Sequence, residues 1–245
     1  MIEINKKLAK LKLSGFVKSI EARNAYALEN KLSYMEFLEL LLEDEFANRT
    51  SNSYRKRFLK SKLNEEKSIN SYDFKYQPDL DKRLVMDLSS LRFINEKKNI
   101  VLMGSPGVGK THIANSIGLE ALKKGYKVIM IESNILLDKL YASKGDGTYR
   151  SVINEYLLAD LLIIDEIGFK KIINIDDFFE IISKRYEKGS IIITTNRNFE
   201  EWGEVFGDNV LASAIIDRIL HHCHVIRITG GSYRVKDLSL NKTLQ

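Results

Sequence analysis

The sequence has one cysteine, Cys223, and two prolines in 245 residues. A lone thiol excludes an internal disulfide, so a reducing cytosol is the expected compartment. With so little proline and only 14 glycines, long disordered or low-complexity tracts are not expected, and none is found. No apolar run approaches the roughly 18 residues that a membrane-spanning helix needs. Met1–Lys12 mixes Ile and Leu with Glu3 and four lysines and lacks the apolar stretch of a signal peptide. No internal repeat is visible. A soluble, cytoplasmic protein without membrane attachment is expected.

What is present is 44% hydrophobic and 29% charged, ordinary for one large or two small globular domains. The net charge of +5 is unevenly placed. Residues 1–98 carry 20 Lys/Arg against 15 Asp/Glu, and residues 99–245 carry 18 against 18, so the excess lies in the first part. Within it, Arg49–Lys67 holds seven basic residues and two acidic ones. Such a run is either a solvated helix face or a contact surface for phosphates.

The first part reads as helical. Leu8, Leu11, Phe16, Val17 and Ile20 keep roughly helical spacing, with Gly15 as a weak point in the middle. Ser33 and Glu36 form a capping box ahead of an apolar face of Phe37, Leu38, Leu41, Leu42 and Phe46. Residues 69–78 turn polar and aromatic, placing a boundary near residue 70 between a basic helical domain, 1–70, and a second domain, 71–245. From Asn99 onward, short β-rich runs at Ile100–Met103, Val128–Ile131, Leu161–Ile164, Ile191–Thr195 and Val225–Ile228 alternate with helical segments at Thr111–Lys124, Asn134–Tyr141, Asp176–Glu187 and Leu211–His221. Fully apolar strands separated by crossover helices predict an α/β fold with a mainly parallel five-stranded sheet.

The first of these strands runs into Gly104, Ser105, Pro106, Gly107, Val108, Gly109, Lys110 and Thr111, where a helical pattern opens at once. This is G-x-x-x-x-G-K-[ST] in the strand–loop–helix setting that phosphate binding requires. Glycines let the main chain curl its N–H groups around a β-phosphate, and the helix dipole points at the same anion. Lys110 adds a charge for the β- and γ-phosphates, and the Thr111 hydroxyl is a ligand for Mg²⁺. The partner should be an acidic residue ending a strand beside the first. Leu161–Ile164 followed by Asp165 and Glu166 supplies it: Asp165 for the Mg²⁺ shell, Glu166 to polarise a water. A third strand ends in Thr194, Thr195 and Asn196. A polar side chain there either orients the attacking water or is a plain turn former. An Asn-Lys-x-Asp base-reading motif is missing, which speaks against GTP, and a Leu-Ser-Gly-Gly signature is missing, which speaks against an ABC-type ATPase.

Together these elements resemble the AAA+ ATPases. The fuller chain is similar to one branch, the IstB-like ATP-binding proteins of insertion-sequence transposition, close to DnaC-type helicase loaders. The likeness runs through Leu11–Glu21, Leu32–Glu45 and the basic segment, through GSPGVGKTHIA, LLIIDEIG and TTN, and through Glu201-Trp202, Gly207-Asp208, LASAIIDRILHH at 211–222 and Gly231-Ser232-Tyr233-Arg234. The C-terminal strings are the more specific.

The resemblance implies that Asn196 senses the γ-phosphate and that Arg218 enters a neighbouring subunit's site as an arginine finger. It also implies that Arg234 is a second phosphate sensor. A surface ion pair is the alternative for each arginine. Only 17 residues follow Ile228, too few for a helical lid domain, so the lid should be reduced or absent. The resemblance gives the basic residues Arg49, Arg55, Lys56, Arg57, Lys60 and Lys62 a second meaning as sequence-independent contacts to duplex DNA. It implies a homo-oligomer that forms with ATP and Mg²⁺ on DNA and recruits or stimulates a transposase. The alternatives are a loader of a replicative helicase and a nucleotide-dependent scaffold that hardly hydrolyses ATP. His221, His222, Cys223 and His224 read as a helix end with exposed histidines, since consecutive residues point apart and no second cluster completes a metal site. Trp202 reads as a packing group and Gly145-Asp146-Gly147 as a turn. For the adenine, residues 72–76 are a candidate by position alone.

Overall fold

The computed structural model describes residues 2–169, 172 and 175–236. It divides into two compact units, Met1–Arg57 and Phe58–Gln245. The division falls ahead of the boundary expected near residue 70, because residues 61–72 pack on the second unit. Leu63 is buried, Asn64 N–H donates to Asn115 Oδ1 at 2.8 Å, and Tyr72 is buried with its hydroxyl on Val108 O.

The first unit contains α1 (Ile2–Lys10), α2 (Ser14–Glu29) and most of α3 (Tyr34–Ser61). The capping box forms: Ser33 N–H donates to Glu36 Oε2 at 2.7 Å and Glu36 N–H to Ser33 Oγ at 3.3 Å. Gly15 is not a weak point inside a helix. It lies in the first turn of α2, where the buried Glu45 carboxylate accepts its N–H at 2.6 Å and that of Phe16 at 3.3 Å. A Cβ at Gly15 would lie 2.5 Å from Glu45 Cα, so the close approach that satisfies these N–H groups needs glycine. Of the apolar face expected on α3, Leu41 is buried while Leu38, Leu42 and Phe46 are exposed.

The second unit opens with α4 (Lys82–Leu88) and α5 (Arg92–Asn95) and continues as β1 (Asn99–Gly104), α6 (Lys110–Lys123), β2 (Val128–Glu132), α7 (Ser133–Gly145), α8 (Tyr149–Leu157), β3 (Leu161–Ile167), α9 (Ile175–Arg185), β4 (Ser190–Thr195), α10 (Trp202–Phe206), α11 (Asn209–Leu220) and β5 (Cys223–Ile228). The five strands form one all-parallel sheet in the order β2-β3-β4-β1-β5. Alternation decides its two faces. Val101, Met103, Leu162, Ile164, Ile191 and Ile193 join the apolar cluster with α7 to α11, in which Trp202 is fully buried. On the opposite face α6 packs closely, and a Cβ at Gly118 would lie 2.9 Å from Ile163 Cδ1. The strand order corrects one expectation. The strand ending in Asp165 is not beside β1, because β4 intervenes, so the 194–196 end lies between phosphate loop and acidic pair.

Candidate active site

The loop after β1 turns on glycines in the left-handed region: Gly107 at φ +84° and Gly109 at φ +99°. At Gly107 a Cβ would fall 2.0 Å from Ser232 Oγ, so the position needs glycine for space as well as for conformation. Lys110, the first residue of α6, folds back so that its Nζ donates to Gly104 O at 2.7 Å and Ser105 O at 2.9 Å. Burial pulls its ammonium below the ordinary lysine range, while Asp165 and Glu166 oppose that shift. A partly desolvated cation resting on two carbonyl dipoles gains from an anion arriving beside it.

Thr111 Oγ1 donates to Asp165 Oδ1 at 3.0 Å, and Thr194 Oγ1 donates to the same carboxylate oxygen. Asp165 is buried. Two hard oxygen donors from two elements, beside a loop shaped for phosphate, fit Mg²⁺, which prefers one or two protein oxygens plus the nucleotide's own. Glu166 follows at φ +61°, and its exposed side chain lines the cavity above the loop. That cavity, about 340 Å³, is walled by Pro106–Thr111, Glu166, Thr194–Asn196 and Arg234, with Tyr72, Asp73 and Gln77 across from them. It therefore collects most of the loop together with Glu166, Asn196 and Arg234.

Arg218 does not line it. The guanidinium lies over the Phe179 ring at 4.9 Å and donates to Ala214 O at 2.9 Å, with no carboxylate paired to it among the described residues. Of the basic run, Arg49 is tied to Glu45 at 2.7 Å and Arg57 donates to Ser53 Oγ, while Arg55 and Lys56 are exposed. Lys60 and Lys62 line a second cavity of about 380 Å³ with Lys67 and Lys139, bordering Thr111 and Asp165.

Arg234 reaches the site from the segment that follows β5. Among the described residues only a 3₁₀ turn, Tyr233–Val235, follows β5, and residues 237–245 lie outside them. A short strap carries it: Tyr233 N–H donates to Gly107 O at 3.0 Å, Tyr76 Oη to Ser232 O at 3.1 Å and Gln77 Nε2 to Gly231 O at 2.9 Å, with Lys236 paired to Asp73 at 2.7 Å. The polar stretch 69–78 is thus no free linker but one wall of the cavity. The strap coincides with the Gly231-Ser232-Tyr233-Arg234 string expected from sequence, whereas Ser133, whose hydroxyl donates to Glu166 O at 3.1 Å, carries no signal there.

His221 and His222 do not point apart. Their rings lie 4.1 Å apart, and their ligating atoms and that of Glu187 fall within 4.8 Å of one another, all exposed. The Cys223 thiol takes no part, burial having pushed it up to about 12, and no fourth ligand joins the three among the described residues.

A family model for the IstB-like ATP binding protein matches residues 6–241. The chain is 40% identical over 222 residues to a Geobacillus stearothermophilus protein named for ATP binding in insertion sequence IS5376, covering 90% of this chain and 88% of the relative. It is 36% identical over 240 residues to the corresponding IS21 protein of Pseudomonas aeruginosa, covering 97% and 90%. Among solved structures it resembles DnaI at 22% identity and TM-score 0.57, covering 69% of this chain and 96% of that one. It also resembles AMPPCP-bound DnaA from Aquifex aeolicus at 23% and 0.57, covering 75% and 57%. At those identities the structural likeness is one of fold, whereas the family match spans nearly the whole chain. With a phosphate loop, a buried acidic strand end and near full-length kinship in hand, the chain belongs to the IstB-like ATP-binding proteins of insertion sequences, built on a core of the DnaA and DnaC kind.

Proposed function

We propose that this ATP-binding protein hydrolyses ATP as a helper of transposition, assembling on duplex DNA and recruiting or stimulating a transposase. The observation that carries the reading is the meeting of Lys110, Thr111, Asp165, Glu166 and Asn196 around one phosphate-shaped loop. Lys110 leaves the Gly104 and Ser105 carbonyls for the β- and γ-phosphates, and main-chain amides of 105–110 hold the β-phosphate. Thr111 and Asp165 would hold Mg²⁺, which when bound neutralises charge on the phosphates. Glu166 takes a proton from the water that attacks the γ-phosphorus, the bond to the β-bridging oxygen breaks, and ADP and phosphate leave. Asn196 hydrogen-bonds the γ-phosphate.

Arg218 serves a neighbouring subunit. Its absence from its own cavity and its lack of a carboxylate partner among the described residues support that role, since a planar permanent cation stabilises charge spreading over the γ-oxygens. Arg234 acts from the strap on the nucleotide in its own subunit. The basic residues Arg49, Arg55, Lys56, Arg57, Lys60 and Lys62 meet DNA phosphates. Relatives from insertion sequences at 36–40% identity favour a transposase over a replicative helicase as the protein partner.

Size-exclusion chromatography with ATP, duplex DNA, or both tests the assembly, and phosphate release tests the chemistry. Assembly that needs both ligands, with turnover abolished by Lys110→Ala and by Glu166→Gln, is expected. Phosphate release unchanged in those two variants would refute hydrolysis at this site.

A further inference from the structure

The end of β3 carries one residue more than the strand beside it. Ile164 lies opposite Ile193 and Ile167 opposite Thr195, so three steps on β3 match two on β4. Such a bulge lifts a residue out of the ladder and re-aims its side chain. Glu166 takes up the extra length in the left-handed region, at φ +61°, where a residue with a Cβ is disfavoured. Its main-chain groups have lost ladder partners, yet both are satisfied. The N–H donates to Thr194 Oγ1 at 2.9 Å, and the carbonyl accepts from Ser133 Oγ at 3.1 Å.

Thr194 is fully buried on β4. Its hydroxyl accepts from Glu166 and donates its one proton to Asp165 Oδ1, the same oxygen that accepts from Thr111. One side chain thus ties the main chain of the candidate base to the carboxylate of the candidate metal ligand. No other hydroxyl among the described residues bonds to both.

We propose that Thr194 is a positioning residue for hydrolysis. By its acceptor side it holds Glu166 in the left-handed turn that aims the carboxylate into the cavity. By its donor side it fixes the rotation of Asp165. The assignment rests on the hydrolytic reading and deepens it, since it places part of the geometry in a buried hydroxyl bonded to both candidate residues.

The test uses the full chain with duplex DNA and compares Thr194→Val, which keeps the shape and removes the hydroxyl, with Thr194→Ser, which keeps the hydroxyl. Binding of a fluorescent ATP analogue is measured in magnesium and in EDTA, alongside kcat and KM. For Thr194→Val, kcat is expected to fall by about tenfold to a hundredfold, the rate equivalent of one lost hydrogen bond to a charged or strained group. Affinity in EDTA should hold while the gain from magnesium shrinks severalfold. Thr194→Ser should restore both. Thr194→Val behaving as wild type in both arms, or Thr194→Ser failing alongside it, overturns the assignment. If Thr194→Val does not fold, Thr194→Ala is compared with Thr194→Ser in the same way. If wild type itself shows no turnover with DNA, the hydrolytic reading falls, and the magnesium arm alone decides whether Thr194 governs Asp165.

Discussion

Replacing Arg185 by methionine should cost this protein a large share of its stability without touching the site. Arg185 is 1% exposed at the end of α9. Its guanidinium donates to Tyr156 O at 2.8 Å, Ala159 O at 2.7 Å and Ser190 O at 2.7 Å, and more distantly to Leu157 O and Asp160 O. These carbonyls belong to the last turn of α8, the entry to β3 and the first residue of β4. One planar fork therefore donates to carbonyls of three elements at once. Methionine fills similar volume but removes the donor from three close carbonyls, at about 1–3 kcal/mol for each that is left unpaired where water cannot reach. Burial already works against the charge, pulling the guanidinium down to about 10, so removing it returns part of that sum. A net loss of about 3–4 kcal/mol follows, which for a unit of this size lowers Tm by roughly 6–16 °C. Thermal denaturation followed by circular dichroism reads it directly. Arg185→Lys should recover only a fraction, because a single ammonium cannot span three carbonyls. A Tm within about 2 °C of wild type for Arg185→Met would refute the reasoning, since it would mean the carbonyls find other donors.

Other consequences are as direct. Lys110→Ala should abolish nucleotide binding, whereas Glu166→Gln should keep binding and lose about 10²- to 10⁴-fold in turnover, the usual worth of a general base; fluorescent-nucleotide titration and phosphate release separate the two. If Arg218 acts across a subunit junction, mixing Arg218→Ala with Lys110→Ala should recover part of the activity that each lacks alone, and no recovery places the arginine elsewhere. The Cys223 thiol, pushed up to about 12 by burial, should react slowly with a disulfide reagent at pH 8 and rapidly once denaturant opens the fold. Asp44, hydrogen-bonded by Arg23, is held down to about 2, below the ordinary aspartate range. A depressed carboxylate lends stability above its unfolded pKa and loses it as pH falls, so Asp44→Asn should flatten the acid side of the stability curve of the helical first unit between about pH 4 and pH 2.

The sequence carried the α/β class and each strand to within a few residues, because strands buried on both faces must be continuously apolar and such runs are visible without coordinates. It also pointed to Lys110, Thr111, Asp165 and Glu166 as one group, which the structure brings together, since phosphate and metal chemistry restrict both residue type and spacing along the chain. The parts it could not carry depend on contacts between distant segments. Alternating apolar runs give strands but not their order, so the interposition of β4 between β1 and β3 was decided by how the crossovers pack. The left-handed turn at Glu166 arises from a register mismatch with β4 that no local pattern announces. Gly15 looked like a flaw in a helix because its reason, Glu45, is thirty residues away. The strap that brings Arg234 to the phosphate loop is likewise held by Tyr76 and Gln77, far back in the chain. Local chemistry is written in neighbouring residues; satisfaction of buried polar groups is settled only when the chain has closed on itself.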